Sequence, residues 1–198
     1  MSSITEITQV VLKERQGRDR GWWEQMEACF HSDSVVKLSW FHGSGAEFVA
    51  QSRERMAKSG VRPVHRTSSP VVHLQGKRGI VELPVAAEVR LVIHGTEADL
   101  VSFMRLVYRV EQREGIWKIK SLDCIYERDT LTPAIPGTSL NLDPDAVRQF
   151  RMPYRCLAYQ FSLRGISVAK DLYGDDESDR VNALYDACFA WMKQQDSI

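Results

Sequence analysis

Apolar positions follow a helical period at the start of this chain and a period of two through its middle. Ile4, Ile7, Val10 and Val11 share one helical face over residues 3–16. Ser3-Ile-Thr-Glu6 has the spacing of a capping box at its start. Gly17 is the predicted end of that helix, because glycine takes the left-handed cap conformation without a side-chain clash. A second short helix is predicted over 20–30, carrying Trp22, Trp23, Met26, Cys29 and Phe30. His31-Ser-Asp33 reads as a turn, and residues 35–40 alternate as a strand. Gly43-Ser-Gly45 leads into a third helix at about 46–59, closed by Ser59-Gly60.

After the turn Gly60-Val-Arg-Pro63 the period drops to two. Residues 65–74 read as a strand that Pro70 interrupts, which marks an edge or a bulge. Residues 80–94 form a long strand with Val81, Leu83, Val85, Ala87, Val89, Leu91 and Ile93 on one face. A turn at His94-Gly-Thr-Glu97 leads to residues 99–113, where Leu100, Met104, Leu106, Tyr108 and Val110 share a face. Glu114-Gly115 is a hairpin signal, and residues 116–126 complete the meander. Helices grouped first and strands after predict an α+β fold, a curved antiparallel sheet wrapping the N-terminal helices.

Residues 128–145 are rich in Pro, Thr, Asn and Asp and read as a wrapping loop. Two further helices are expected. One spans about 145–164, with Val147, Phe150, Tyr154, Leu157 and Phe161 at helical spacing and Pro153 starting or kinking a segment. The other spans about 177–194, with Val181, Leu184, Tyr185, Cys188, Trp191 and Met192 in one stripe that something must cover. We therefore divide the chain into an α+β domain over 1–135 and a C-terminal helical extension over 136–198, packed on the core or on a partner subunit.

Composition narrows the partners. With 198 residues, 43% of them hydrophobic, the chain is long enough to bury a proper core. Acidic and basic residues balance at 26 each, which gives no electrostatic reason for a nucleic-acid or anionic-membrane partner. The apolar runs are far too short to cross a bilayer. Cys29, Cys124, Cys156 and Cys188 are scattered without a C-x-x-C pair and read as reduced, mostly buried thiols. A cytoplasmic protein, assembled as a homodimer or homotrimer, is the expectation.

The candidate chemistry rests on Asp19, in the break between the first two helical patterns, and His65, at the start of the first alternating strand. Helices packed across a curved sheet would bring this carboxylate to this imidazole. The carboxylate would then orient the ring and stabilise its protonated form, making an acid–base pair. The competing structural reading is that Asp19 caps the second helix and His65 is a satisfied strand-edge residue. Trp23, Trp40, Met104, Leu106 and Tyr126 are candidates for an apolar pocket lining, against ordinary core packing. Asp123 and Tyr126 would supply polar contacts at its mouth. The remaining histidines form no metal-ligand spacing, and no metal or cofactor is expected.

Taken together, Asp19 with Trp22-Trp23, the Phe30-His-Ser-Asp33 segment, Phe48-Val49, His65 and Arg113-Glu-Gly-Ile-Trp-Lys-Ile119 resemble the SnoaL-like branch of the nuclear transport factor 2-like superfamily. The resemblance covers residues 4–135 and implies a cone-shaped α+β fold with its active site in the mouth. Relatives include scytalone dehydratase, a dehydrochlorinase, polyketide cyclases, steroid isomerases and epoxide hydrolases. In the dehydratase and the dehydrochlorinase an aspartate and a histidine pair in the cavity, and Asp19 and His65 fall at the matching places. Two departures stand out. Ala87 falls where the dehydratase has a second histidine, and Leu122 where the dehydrochlorinase has an arginine. The implied function is a cofactor-independent lyase or isomerase acting on a small apolar or aromatic molecule. The alternative is a non-catalytic binding or assembly module, such as the small subunit of a ring-hydroxylating dioxygenase.

Overall fold

Helix α1 (Ser3–Arg20) is capped one residue earlier than expected, by Ser2, whose hydroxyl accepts the Thr5 N–H. It also runs past Gly17 to a left-handed cap at Gly21, φ 70°. Gly17 has a different task from the one its type suggests. A Cβ there would lie 2.9 Å from Met26 Cβ, so the glycine lets α2 (Trp23–Ala28) lie directly against α1. The computed structural model describes residues 2–59 and 61–194. Gly60, within the expected turn after the third helix, and residues 195–198 of the expected extension lie outside the described residues.

Among the described residues the sheet has eight strands. Strands β1 (Phe30–Leu38) and β2 (Phe41–Ser44) form its first hairpin, so the expected turn at His31–Asp33 is strand instead. Helix α3 (Gly45–Ser59) follows. Pro70, lacking an N–H, divides the next stretch into β3 (Val64–Thr67) and β4 (Val71–Gln75), which pair in succession with the same edge of β5 (Arg78–Ile93). Strands β5, β6 (Thr96–Arg113) and β7 (Ile116–Pro133) form the antiparallel meander. Both of its connections have successive residues with positive φ, His94-Gly95 and Glu114-Gly115, the conformation of tight right-twisting hairpins. The path runs β2-β1-β7-β6-β5-β3, with β1 parallel to β7. This is the expected α+β architecture, an open curved sheet around N-terminal helices.

Strand β7 continues to Pro133, through residues expected to be loop. A bulge between Phe103 and Met104 of β6 leaves Glu127 as the extra residue on β7. One extra residue reverses the side-chain alternation beyond it. Tyr126 and Asp129 therefore project to the same, concave face. The predicted helix at 145–164 is divided into α4 (Pro144–Arg148), a 3-10 turn at Met152–Tyr154 and α5 (Arg155–Ser162). A two-residue strand β8 (Tyr173–Gly174) adds to β7, and α6 (Ser178–Lys193) ends the described chain.

The main core lies between the concave face and α1–α3. Ile7, Val11, Met26, Phe48, Leu83, Tyr108 and Leu122 are all within 1% of complete burial there. Full burial of each aliphatic or aromatic side chain contributes about 1.5–3 kcal/mol. The stripe of α6 is covered by the convex face: Leu184, Cys188 and Met192 pack on Ile80, Val107 and Ile125. Charged side chains on that face are also paired, since Arg105 bridges Glu82 and Glu127 and Tyr185 donates to Glu82. All four cysteines are free thiols. No helix among the described residues is long and apolar enough to cross a membrane.

Candidate active site

Helix α1 carries an apolar stripe at Ile7 and Val11 that continues as Glu14 and Arg18 at the same helical spacing. The last turns therefore turn charged side chains inward. Glu14 is fully buried. It accepts both Arg15 guanidinium N–H groups facing it, and the Tyr108 hydroxyl at 3.2 Å. Arg15, Arg18 and Asp19, at i, i+3 and i+4, reach the open end of the cone together.

There Asp19, placed in the final turn of α1 and not in a break between helices, meets β3. Its Oδ2 accepts the His65 backbone N–H at 2.8 Å and its Oδ1 lies 2.5 Å from the ring Nδ1. The side chains are only 14% and 11% exposed. Burial alone would raise the Asp19 pKa, but the bonds from His65 and the charge of Arg15 outweigh it and hold the carboxyl below its usual range. For His65 burial dominates. It disfavours the charged ring, Arg15 and Arg18 add to the effect, and the Asp19 bond only partly opposes it, so its pKa is lowered. The pair is thus carboxylate with neutral imidazole at pH 7. An ionised carboxylate can only accept, so Nδ1 carries the proton and Nε2 keeps the lone pair. Nε2 has no partner among the described residues.

His65 lines a cavity of about 420 Å³. Of the residues expected to line a pocket, Trp40, Met104, Leu106 and Tyr126 do so. Tyr126 is fixed there by accepting the Ser39 N–H at 2.9 Å. Two do not line it. Trp23 lies over Gly21 at the α1–α2 junction, because α1 runs four residues further than its glycine suggested. Asp123 precedes the β7 bulge and pairs in register with Val107 of the convex face, beside Lys37 and Arg109. Its alternation points away from the cavity. Ala87 sits directly opposite His65 in the β3–β5 register and leaves open space, while Leu122 is core.

The cavity has walls the sequence reading missed. Ser102 stands next to Ala87 on β6, so His65, Ala87 and Ser102 form one row across three strands. Helix α5 closes the far side with Leu157, Gln160 and Phe161. It is held there by Asp129, whose Oδ2 accepts the Leu157 N–H at 2.7 Å in the helix's first turn. Arg55 of α3 pins it from above, lying 4.5 Å from the Trp40 ring centroid and 5.7 Å from that of Phe161. Among the described residues no group of three or more His, Cys, Asp or Glu side chains is placed to hold a metal ion. An oriented imidazole in a largely apolar chamber can take a proton from a bound molecule and return it.

Similar proteins agree with this architecture. A hexachlorocyclohexane dehydrochlorinase superimposes with TM-score 0.59 at 13% identity, covering 71% of this chain and 95% of that one. A scytalone dehydratase candidate from Novosphingobium aromaticivorans gives 0.51 at 17%, covering 69% and 94%. At such identities the likeness is one of fold. Pea pathogenicity protein 2 of Fusarium vanettenii is 30% identical over 162 residues, 79% of this chain and 69% of that protein. The profile of the SnoaL-like domain matches residues 1–123, and the chain belongs to that family.

Proposed function

We propose that the chain is a cofactor-independent lyase- or isomerase-type enzyme, dehydratase- or cyclase-like, acting on a small molecule with an apolar or aromatic body. The single observation that carries this reading is the 2.5 Å contact of Asp19 Oδ1 with Nδ1 of His65, a ring that lines the cavity; it assigns the ring proton to Nδ1 and leaves the Nε2 lone pair without a partner among the described residues. His65 takes a proton from a carbon of the substrate. Asp19 stabilises the imidazolium, and the ring returns the proton to a departing hydroxyl or to a second carbon. General acid–base catalysis of this kind contributes about 10²–10⁴-fold. Trp40, Met104, Leu106 and Tyr126 shape the apolar wall. Assembly as a homodimer or homotrimer in the cytoplasm belongs to the same proposal.

The test is deuterium incorporation from D₂O into enolisable aryl ketones and β-hydroxy ketones, followed by mass spectrometry. His65→Ala and Asp19→Ala should each abolish exchange without unfolding the protein. Exchange that survives both changes removes the mechanism. It would leave the binding-module reading, which needs the cavity but not the tautomer.

A further inference from the structure

Three buried polar side chains in the cavity wall each carry an atom that no described residue satisfies: Arg18 Nη1, Ser102 Oγ and Gln160 Nε2. They come from α1, β6 and α5, and the parent side chains are 7%, 2% and 3% exposed. Buried polar atoms are normally paired, and of the exceptions among the described residues these three belong to the wall of one chamber. All three can donate a hydrogen bond. The two carboxylates nearest Arg18 are already committed, Glu14 to Arg15 and Tyr108, Asp19 to His65. The described lining also contains Arg15, Arg55, Lys58 and Arg164 but no aspartate or glutamate.

We propose that the substrate of this site is an organic acid, whose carboxylate is held by Arg18, with Ser102 and Gln160 as donors to other polar groups of the same molecule. This rests on reading the cavity as the substrate site of His65 and Asp19, and it adds the chemical class. The guanidinium presents a planar fork of donors that matches two carboxylate oxygens. Burial and the neighbouring charge of Arg15 lower the Arg18 pKa to about 10, which still leaves it charged at pH 7. A desolvated cation without a partner is costly, and an incoming anion removes that cost. The apolar walls at Leu106, Met104 and Phe161 take the rest of the molecule, and the cations of the rim draw an anion in. A neutral amide of equal shape offers the arginine one uncharged carbonyl oxygen in place of two charged ones and forfeits about tenfold or more in affinity.

The probes are 2-naphthoate and 2-naphthamide, equal in shape and different in charge, titrated calorimetrically into the native protein. Naphthoate is expected to bind at least about tenfold more tightly, the least that a charged hydrogen bond contributes. Arg18→Gln and the apolar Arg18→Met should erase that preference. Should neither variant fold, salt decides in the native protein. Added salt screens the exposed Lys58 and Arg164 but not buried Arg18, so the preference must survive it. Equal affinity, binding of neither probe, a preference that outlives loss of Arg18, or one abolished by salt overturns the proposal. The preference is read from binding without turnover, so loss of deuterium exchange and loss of anion selectivity are separate results, and each reading can fail alone.

Discussion

Replacing Asp19 by asparagine tests the tautomer on which the proposed chemistry depends. Both carboxylate oxygens act as acceptors, Oδ2 for the His65 backbone N–H and Oδ1 for the ring. Asparagine keeps one acceptor oxygen. The backbone N–H can only donate, so that oxygen stays with it and the amide NH₂ turns toward Nδ1. Nδ1 must then accept, and the ring proton moves to Nε2. The variant loses a charge-assisted bond worth about 1.5–3 kcal/mol, roughly 10–150-fold. The wrong tautomer carries the total loss toward the ~10⁴-fold known for a catalytic histidine so misplaced. Deuterium exchange measures the rate, and ¹⁵N spectra of the labelled ring report the tautomer without any substrate. The pH dependence has a definite sign. Because the folded His65 pKa lies below its ordinary value of 6.5, the unfolded chain binds a proton in the interval between them that the native chain does not. Stability is full above about 6.5 and falls as pH drops through that interval. In the variant the carboxylate that favours imidazolium is gone, so the interval reaches lower still. A native ring protonated on Nε2 at pH 7, a His65 titrating above its ordinary value, or a variant within a few-fold of native exchange refutes the reasoning.

Two further perturbations address what places the pair. Glu14→Ala should cost about 3–5 kcal/mol in urea unfolding, since it leaves Arg15 charged, buried and unpaired beneath the cavity; a loss under about 1 kcal/mol would mean that Arg15 finds solvent. Gly17→Ala brings a Cβ to 2.9 Å from Met26 Cβ and 3.0 Å from the Trp22 carbonyl. Helix propensity alone would favour alanine by up to about 1 kcal/mol, but the overpacking costs about 1–3 kcal/mol, and thermal unfolding should show net destabilisation with α2 displaced from α1.

The meander was legible in the sequence because its alternation is long and its turns carry glycine at positions that need positive φ. His65 and Asp19 were legible as a pair, although for Asp19 the local reading was wrong. Gly17 looked like a helix end by composition, whereas its missing Cβ serves packing, and nothing local separates the two uses. Trp23 was misplaced by that same error. Asp123 and Asp129 show a second limit. Which face a strand residue occupies depends on the bulge at Glu127, and a bulge is fixed by the partner strand as much as by the bulged one. One signal was present and passed over. The stripe Ile7, Val11 continues to Glu14 and Arg18 at unbroken spacing, so charged residues on a core-facing stripe mark a buried polar cluster. Ser102 and Gln160 gave no such signal, since their significance lies only in the chamber that β6 and α5 enclose together.

Burial connects these observations. An exposed aspartate–histidine pair raises the imidazole pKa, because the carboxylate stabilises the cation and water costs it nothing. Such a ring would be largely protonated near neutrality and a poor base. Here desolvation reverses the sign, and two arginines on the same helix add to it. The desolvation is collective. Sheet and α1 provide the floor, while the far wall is α5, fastened by Asp129 on one side and by Arg55 stacked between Trp40 and Phe161 on the other. The same enclosure leaves Arg18 Nη1 without a partner among the described residues, a destabilising feature that the apolar core must offset. Loosening α5 would admit water to both groups at once. His65 would then become easier to protonate, and Arg18 would lose its reason to prefer an anion, before any strand of the sheet had moved.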